Sequence, residues 1–195
     1  MTAAIPLRAF LVLFLISAAP MGWAAPVLYV LDGDTSRVGF SVDFGPDEIT
    51  GRFPVADAQL TLDFDKVSNT SVSVTLDAEG ASASFPFAAQ ALKGPSILYT
   101  KKYPSIAFES TSVEGSTAGA LVQGDLTIRG VTRPVALQAG LFRRAGTDPR
   151  DFSRLFIRLT GAVSRSAFGA SGWPDAVSDE VRIDILAEVA RVDAK

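Results

Sequence analysis

The side chains that could do chemistry are few, and their types narrow the field at once. The 195-residue chain contains neither histidine nor cysteine. Ser-His-Asp triads, thiolate nucleophiles, His- or Cys-ligated zinc, His-ligated haem and disulfide frameworks each need one or the other. Carboxylate pairs remain, the residues that could support glycoside hydrolysis or a calcium site. Asp63 and Asp65 alternate with Leu62 and Phe64, which places them on a solvent face; Asp32 and Asp34 flank Gly33 at a turn; Asp175, Asp179 and Glu180 cluster before the last apolar run. All read as solvated face or turn residues, so neither a metal site nor a catalytic residue is expected. Gly124 to Gly130 has the glycine spacing of a phosphate-binding loop, but Val131-Thr132 stands where Lys-Ser/Thr is required. Gly169-Ala170-Ser171-Gly172 loosely suggests a nucleophile elbow, but Trp173 occupies the second glycine position and there is no histidine base. Arg143, Arg144, Arg150 and Arg154 form the one basic concentration. It could meet an anionic headgroup, and reads more simply as a solvated hairpin tip partly neutralised by Asp148 and Asp151. With 18 basic against 21 acidic residues and a pI near 5.0, nucleic acid is not an expected partner.

The elements that would position these residues are strands. Val38, Phe40, Val42 and Phe44 share one face, with Arg37, Gly39, Ser41 and Asp43 on the other. The same period of two runs through Leu60–Phe64, Val72–Leu76, Ile106–Phe108, Val122–Ile128, Val135–Ala139, Leu155–Val163 and Val181–Val189, giving eight strands, or nine with Leu28–Leu31. One apolar and one wet face per strand means antiparallel sheet. Gly115-Ser116, Gly130-Val131-Thr132 and Asp148-Pro149 punctuate strand ends. The stretch 85–99 does not alternate; Ala88 to Leu92 favour helix and Gly94-Pro95 stops it, so one short helix is expected there. The pattern allows a barrel or a sandwich, and an eight-stranded barrel can be side-chain filled or hold one elongated ligand. The inward face is aromatic and has almost no fixed donors or acceptors, so any open interior should be oily.

The first segment reads as an export signal. Arg8 is the sole charge before Asp32 and precedes the apolar run Ala9–Ala19, which Pro20 and Gly22 break; Gly22-Trp23-Ala24 offers small residues for a peptidase. Cleavage is expected after Ala24, since a cut after Ala25 would leave Pro26 first. The run falls short of the roughly 20 residues that span a bilayer, and no later stretch approaches that length, so no stable membrane anchor is expected. Residues 25–195 would form a single exported domain, without disulfides and hence with a self-sufficient core. Asn69-Thr70-Ser71 is a formal glycosylation acceptor, expected bare.

Five motifs in order then carry a resemblance: Gly51-Arg52-Phe53; Lys102-Tyr103-Pro104-Ser105-Ile106-Ala107-Phe108; the run Gly124-Asp125-Leu126-Thr127-Ile128-Arg129-Gly130-Val131-Thr132-Arg133-Pro134-Val135; Arg165-Ser166-Ala167-Phe168-Gly169; and Asp179-Glu180-Val181. Over roughly Tyr29 to Val189 the chain resembles the YceI-like polyisoprenoid-binding family of exported bacterial proteins. It departs from that pattern at Thr35 and Phe44, where the family usually has histidines, and at Phe85-Pro86-Phe87-Ala88-Ala89, which replaces a charged Arg-Asp pair before the helix. The resemblance implies an all-β fold, an eight-stranded antiparallel lipocalin-like barrel with one short helix. It implies a periplasmic, non-enzymatic binder or carrier of a long-chain apolar lipid (polyisoprenoid, isoprenoid quinone or fatty-acid-like), with no cofactor beyond that ligand. The departures make the cavity greasier. Candidate lining residues are Phe40, Phe44, Phe53, Phe64, Phe108 and Phe168, with Phe85, Phe87, Leu92, Ile97 and Leu98 capping or lining the entrance and Arg165 as the polar candidate. Each aromatic could equally be plain core. The alternative is a filled-core structural or interaction domain acting through its surface, and an exposed strand edge could support a homodimer.

Overall fold

The computed structural model describes residues 27–192, so the expected signal segment 1–24 lies outside the described residues. Eleven antiparallel strands are formed among them: β1 (Val27–Leu31), β2 (Arg37–Phe44), β3 (Asp47–Phe53), β4 (Val55–Leu62), β5 (Ser71–Asp77), β6 (Ser82–Ala83), β7 (Ser105–Ser116), β8 (Gly119–Ile128), β9 (Val131–Phe142), β10 (Arg154–Ser164) and β11 (Val177–Arg191). One α-helix, α1 (Pro86–Lys93), sits between β6 and β7. The ring β1-β4-β5-β7-β8-β9-β10-β11 closes through β1–β11 pairing, an eight-stranded barrel. The remaining strands β2, β3 and β6 extend one end of it.

The extension follows from three breaks in the chain. β11 pairs with β1 through Val189–Arg191 and with β2 through Val177–Leu186, so β1 and β2 are two halves of one stave, interrupted at 32–36. Pro54, which cannot donate to a ladder, separates β3 from β4 in the same way. Residues 78–81 separate β5, paired with β4, from β6, paired with β3. At that end β6 finds no strand on its far side, and α1 packs there instead. Proline at its first turn suits a helix start, and the Gly94 N–H bonds back to the Ala91 carbonyl at its end.

The sequence pattern reads the staves well. Inward Val38, Phe40 and Val42 of β2 face Ile185, Ile183 and Val181 of β11 in register. Two strands escape the alternation, β3 and β6. In β3 the inward positions are Ile49, Gly51 and Phe53, and the glycine interrupts the apolar run. It must be glycine: a Cβ on Gly51 would lie 2.3 Å from the Phe40 ring and 2.4 Å from the Ser82 carbonyl oxygen. The phenylalanine thus occupies the space its neighbour leaves. Gly124 repeats the device under Phe108, whose ring lies 2.5 Å from where its Cβ would be. The β8–β9 connection is a two-residue turn, Arg129 (φ 54°) and Gly130 (φ 74°), the geometry that matches the twist of hairpin strands.

Two expectations about charged residues are corrected. Asp63 is buried, not solvated: β4 ends at Leu62, the chain turns, and the Asp63 carboxylate accepts the N–H groups of Asp65 (3.0 Å) and Lys66 (2.7 Å) and the Asn69 side-chain amide (2.9 Å). Those donors, the Lys66 amide foremost, hold its pKa below the ordinary carboxylate value. The arginine-rich β9–β10 tip is not merely solvated either. Arg144 (3.3 Å) and Arg154 (2.9 Å) bond to Glu188, 1% exposed, tying the tip to β11 and to the 32–36 loop.

Candidate functional site

Inside the barrel the inward faces do not meet. They enclose a cavity of about 840 Å³, running from α1 and Trp173 at one end to the β7–β8 turn at Thr117 at the other. That volume lies within the range of pockets that hold small organic ligands. Its wall is almost entirely aliphatic and aromatic; Ser36, Asp47, Asp63, Thr70, Ser116, Thr117 and Arg165 are the polar exceptions among the residues around it. A cavity so lined offers water few partners and is one that stays dry or takes apolar matter.

All twelve candidates lie on this wall. Phe40 and Phe44 project from β2, Phe53 ends β3, Phe64 follows β4, and Phe108 projects from β7. Phe40 and Phe53 meet at 5.3 Å between ring centres. Phe64 belongs to the end remote from the helix, stacked on Phe152 at 4.9 Å and edge-on to Tyr29 at 5.7 Å; the Tyr29 hydroxyl donates to the Phe152 carbonyl at 2.8 Å. Phe85, Phe87, Leu92, Ile97 and Leu98 form the wall beyond β6, at the end of the extension, and Phe168 is buried beside Leu98 and Leu126. The turn after the helix is pinned by Arg129, whose guanidinium donates to the carbonyls of Pro95 (2.7 Å) and Ile97.

Arg165, the polar candidate, is tied to the main chain on the cavity wall. It is 8% exposed, and its guanidinium donates to four main-chain carbonyls: Ser178 and Val177 at 2.8 Å, Gly172 at 2.7 Å and Ala170 at 2.6 Å. Four of its five N–H groups are therefore committed to holding the 166–178 segment in place. Asp179 reinforces the same corner, accepting from the Ser166 amide (2.9 Å) and the Ser164 hydroxyl (2.5 Å); these bonds lower its pKa. Gly172 in turn donates to the Ser96 carbonyl at 3.0 Å, docking the segment onto the turn after α1.

Reading for aromatics missed most of the wall. Val72, Val74, Val122, Leu137, Leu159 and Ile183 line it too, and the alternation that located their strands carried that signal. Trp173 is different. It lies in a turn, at φ 50°, and no periodicity marks it; it reaches the cavity because its ring meets Phe87, 6.2 Å between centres.

Residues 29–189 match the family described as YceI-like domain. The chain belongs to the YceI-like family. A UPF0312 protein of Shewanella denitrificans is 30% identical over 164 residues, which cover 82% of this chain and 85% of that protein. Among solved structures, BcnA of Burkholderia cenocepacia superposes with a TM-score of 0.73 at 23% identity, covering 83% of this chain and 99% of BcnA. A polyisoprenoid binding domain from Saccharophagus degradans superposes with a TM-score of 0.62 at 13% identity, over 85% of this chain and 99% of that one. At such identities these two structures establish the YceI-like barrel and leave the ligand to the cavity's own chemistry.

Proposed function

We propose that this YceI-like protein is a periplasmic carrier or sequestering protein for a long-chain apolar amphiphile, a polyisoprenoid, isoprenoid quinone or fatty-acid-like lipid, held in the barrel without catalysis. The continuous apolar cavity of about 840 Å³ carries this reading. At about 30 Å³ per water-sized group it has room for on the order of 25 methylene-sized groups. Burying about 15 of them is worth roughly 12 kcal/mol gross at ~0.8 kcal/mol each. Fixing the chain and the partners returns much of that, which leaves affinity in the micromolar to nanomolar range. The name of the Saccharophagus degradans domain supports the isoprenoid class, and the leader-like residues 1–24 support export. The hollow barrel counts against a filled-core interaction domain. Among the described residues no three acidic side chains converge as a metal site would need.

Native mass spectrometry of protein purified from a periplasmic fraction, followed by organic extraction, tests the proposal. A stoichiometric apolar adduct of several hundred daltons is expected. A bare mass that also refuses added isoprenoids overturns it.

A further inference from the structure

Five of the exposed large apolar side chains line the cavity: Leu186 (37% exposed), midway along β11, and four more, Phe87 (74%), Phe85 (49%), Trp173 (46%) and Phe44 (43%), which make the collar. These four come from three segments brought together at one end of the barrel. Phe44 pairs with Val177 across β2 and β11, the Gly45 amide bonds to the Ala176 carbonyl at 3.1 Å, and Trp173 meets Phe87 at the start of α1. Scattered exposed apolar residues are ordinary, whereas a contiguous group around an opening marks a surface that something covers. Leu28, Val30, Phe142 and Val192, also exposed, do not line the cavity.

We infer that this aromatic collar is a docking surface for a lipid bilayer of low surface charge, seated in the headgroup region so that cargo passes between bilayer and barrel without crossing water. The inference rests on the carrier reading for its purpose and on the collar for its chemistry. Each methylene drawn through water costs about a fourfold loss in partition, so a carrier that opens into the lipid phase avoids a large barrier. Tryptophan and phenylalanine at a rim suit the membrane interface. Charge selects the kind of bilayer. Residues 43–48, 84–92 and 172–177 contain the carboxylates Asp43, Asp47, Glu48 and Asp175 and neither lysine nor arginine. Arg182 neutralises part of this, bonding to Asp43 (2.6 Å) and Glu48 (2.7 Å), and Lys93 lies at the other end of the helix. An acidic collar is repelled by anionic headgroups over a Debye length of about 8 Å at physiological salt.

The test is flotation of the purified protein with phosphatidylcholine vesicles, with lipids brominated in their acyl chains as quenchers. Binding is expected, with quenching that Trp173→Phe removes; the chain's other tryptophan, Trp23, lies in the leader-like residues 1–24, so the test uses protein that begins at Ala25 and has Trp173 as its sole reporter. Phe85→Ser/Phe87→Ser should lower partition at least tenfold, and replacing a third of the lipid with phosphatidylglycerol should weaken binding in a manner that salt relieves. Absence of flotation, quenching unchanged in Trp173→Phe, or tighter binding to phosphatidylglycerol overturns the inference. So does a dimer in sedimentation that the serine pair dissolves without any vesicle binding, which would make the occupant a second copy. Phe40→Arg, deep in the barrel, separates the two readings: it should empty the cavity yet leave vesicle binding within twofold. Loaded protein that ignores vesicles would sink the collar and spare the carrier, while vesicle binding by protein that retains no isoprenoid from detergent would do the reverse.

Discussion

Glu188 lies on the outer face of β11, nearly free of solvent contact, and its neighbours explain why a carboxylate is tolerated there. A hydrogen bond from Thr35 and those from Arg154 and Arg144 hold its pKa below the ordinary 4.5, against the burial that raises it. Thr35 belongs to the 32–36 break between β1 and β2, so that break supports this carboxylate. A depressed folded-state pKa means the stabilisation is complete above the unfolded value of about 4.5 and is lost as pH falls through the lower folded value. Glu188→Gln should therefore melt below the wild type at pH 7, with the gap closing in the acid limb. An equal gap at pH 7 and pH 3, read by circular dichroism, would show that packing and not charge is responsible. Gly124 gives a steric counterpart. Gly124→Ala drives a methyl group to 2.5 Å from both the Phe108 ring and the Glu109 carbonyl oxygen, and should cost about 1–3 kcal/mol. Phe108→Leu in that background should recover part of the loss, so the double-mutant cycle reports coupling; strict additivity would mean that the ring does not need the glycine.

At the scale of elements, the segment 166–178 has little regular structure and is held by the side chain of Arg165. Arg165→Met leaves four carbonyls without that donor, at about 1–3 kcal/mol for each that water cannot reach, so loss of at least ~2 kcal/mol in denaturant unfolding is expected. Arg165→Lys should fail to restore it, because one ammonium cannot span four acceptors spread over the corner. Full recovery by lysine would mean that charge near Asp179, and not the fork of bonds, is what matters. This corner also shows where sequence reading stops. The long staves were legible because one face packs inward and the other is wet, which writes a period of two. β3 was not, because Phe40 fills the inward place of Gly51. β6 has two residues, too few to show a period. The Glu188 clamp and the Arg165 corner join residues far apart in the chain, or donors to carbonyls that every residue possesses, and composition leaves no trace of either. The helix was legible from its alanines and its Gly94-Pro95 stop, whereas its position, closing the wall beyond β6, is a matter of topology.

For the whole molecule, the wide ring and the aromatic content pull in opposite directions. Eight staves enclose more room than their side chains fill, even with phenylalanines at inward positions on β2, β3 and β7. Lining atoms around an unfilled space forgo their dispersion partners, so the empty barrel is less stable than its burial suggests. A ligand that occupies the space restores those contacts and adds stability by mass action. At a hundredfold excess over Kd the gain is about 2.7 kcal/mol. In a domain of this size each kcal/mol moves Tm by about 2–4 °C. Loading with an isoprenoid should therefore raise the midpoint by about 5–10 °C over solvent-extracted protein, read by scanning calorimetry at fixed protein concentration. Phe40→Arg places a guanidinium in the wall opposite Ile183, where among the described residues no carboxylate lines the middle of the barrel. It should abolish the increment while the solvent-extracted midpoint falls only modestly, because the long side chain can reach along the cavity toward an end. An increment that survives in Phe40→Arg would move the lipid out of the barrel and onto the surface.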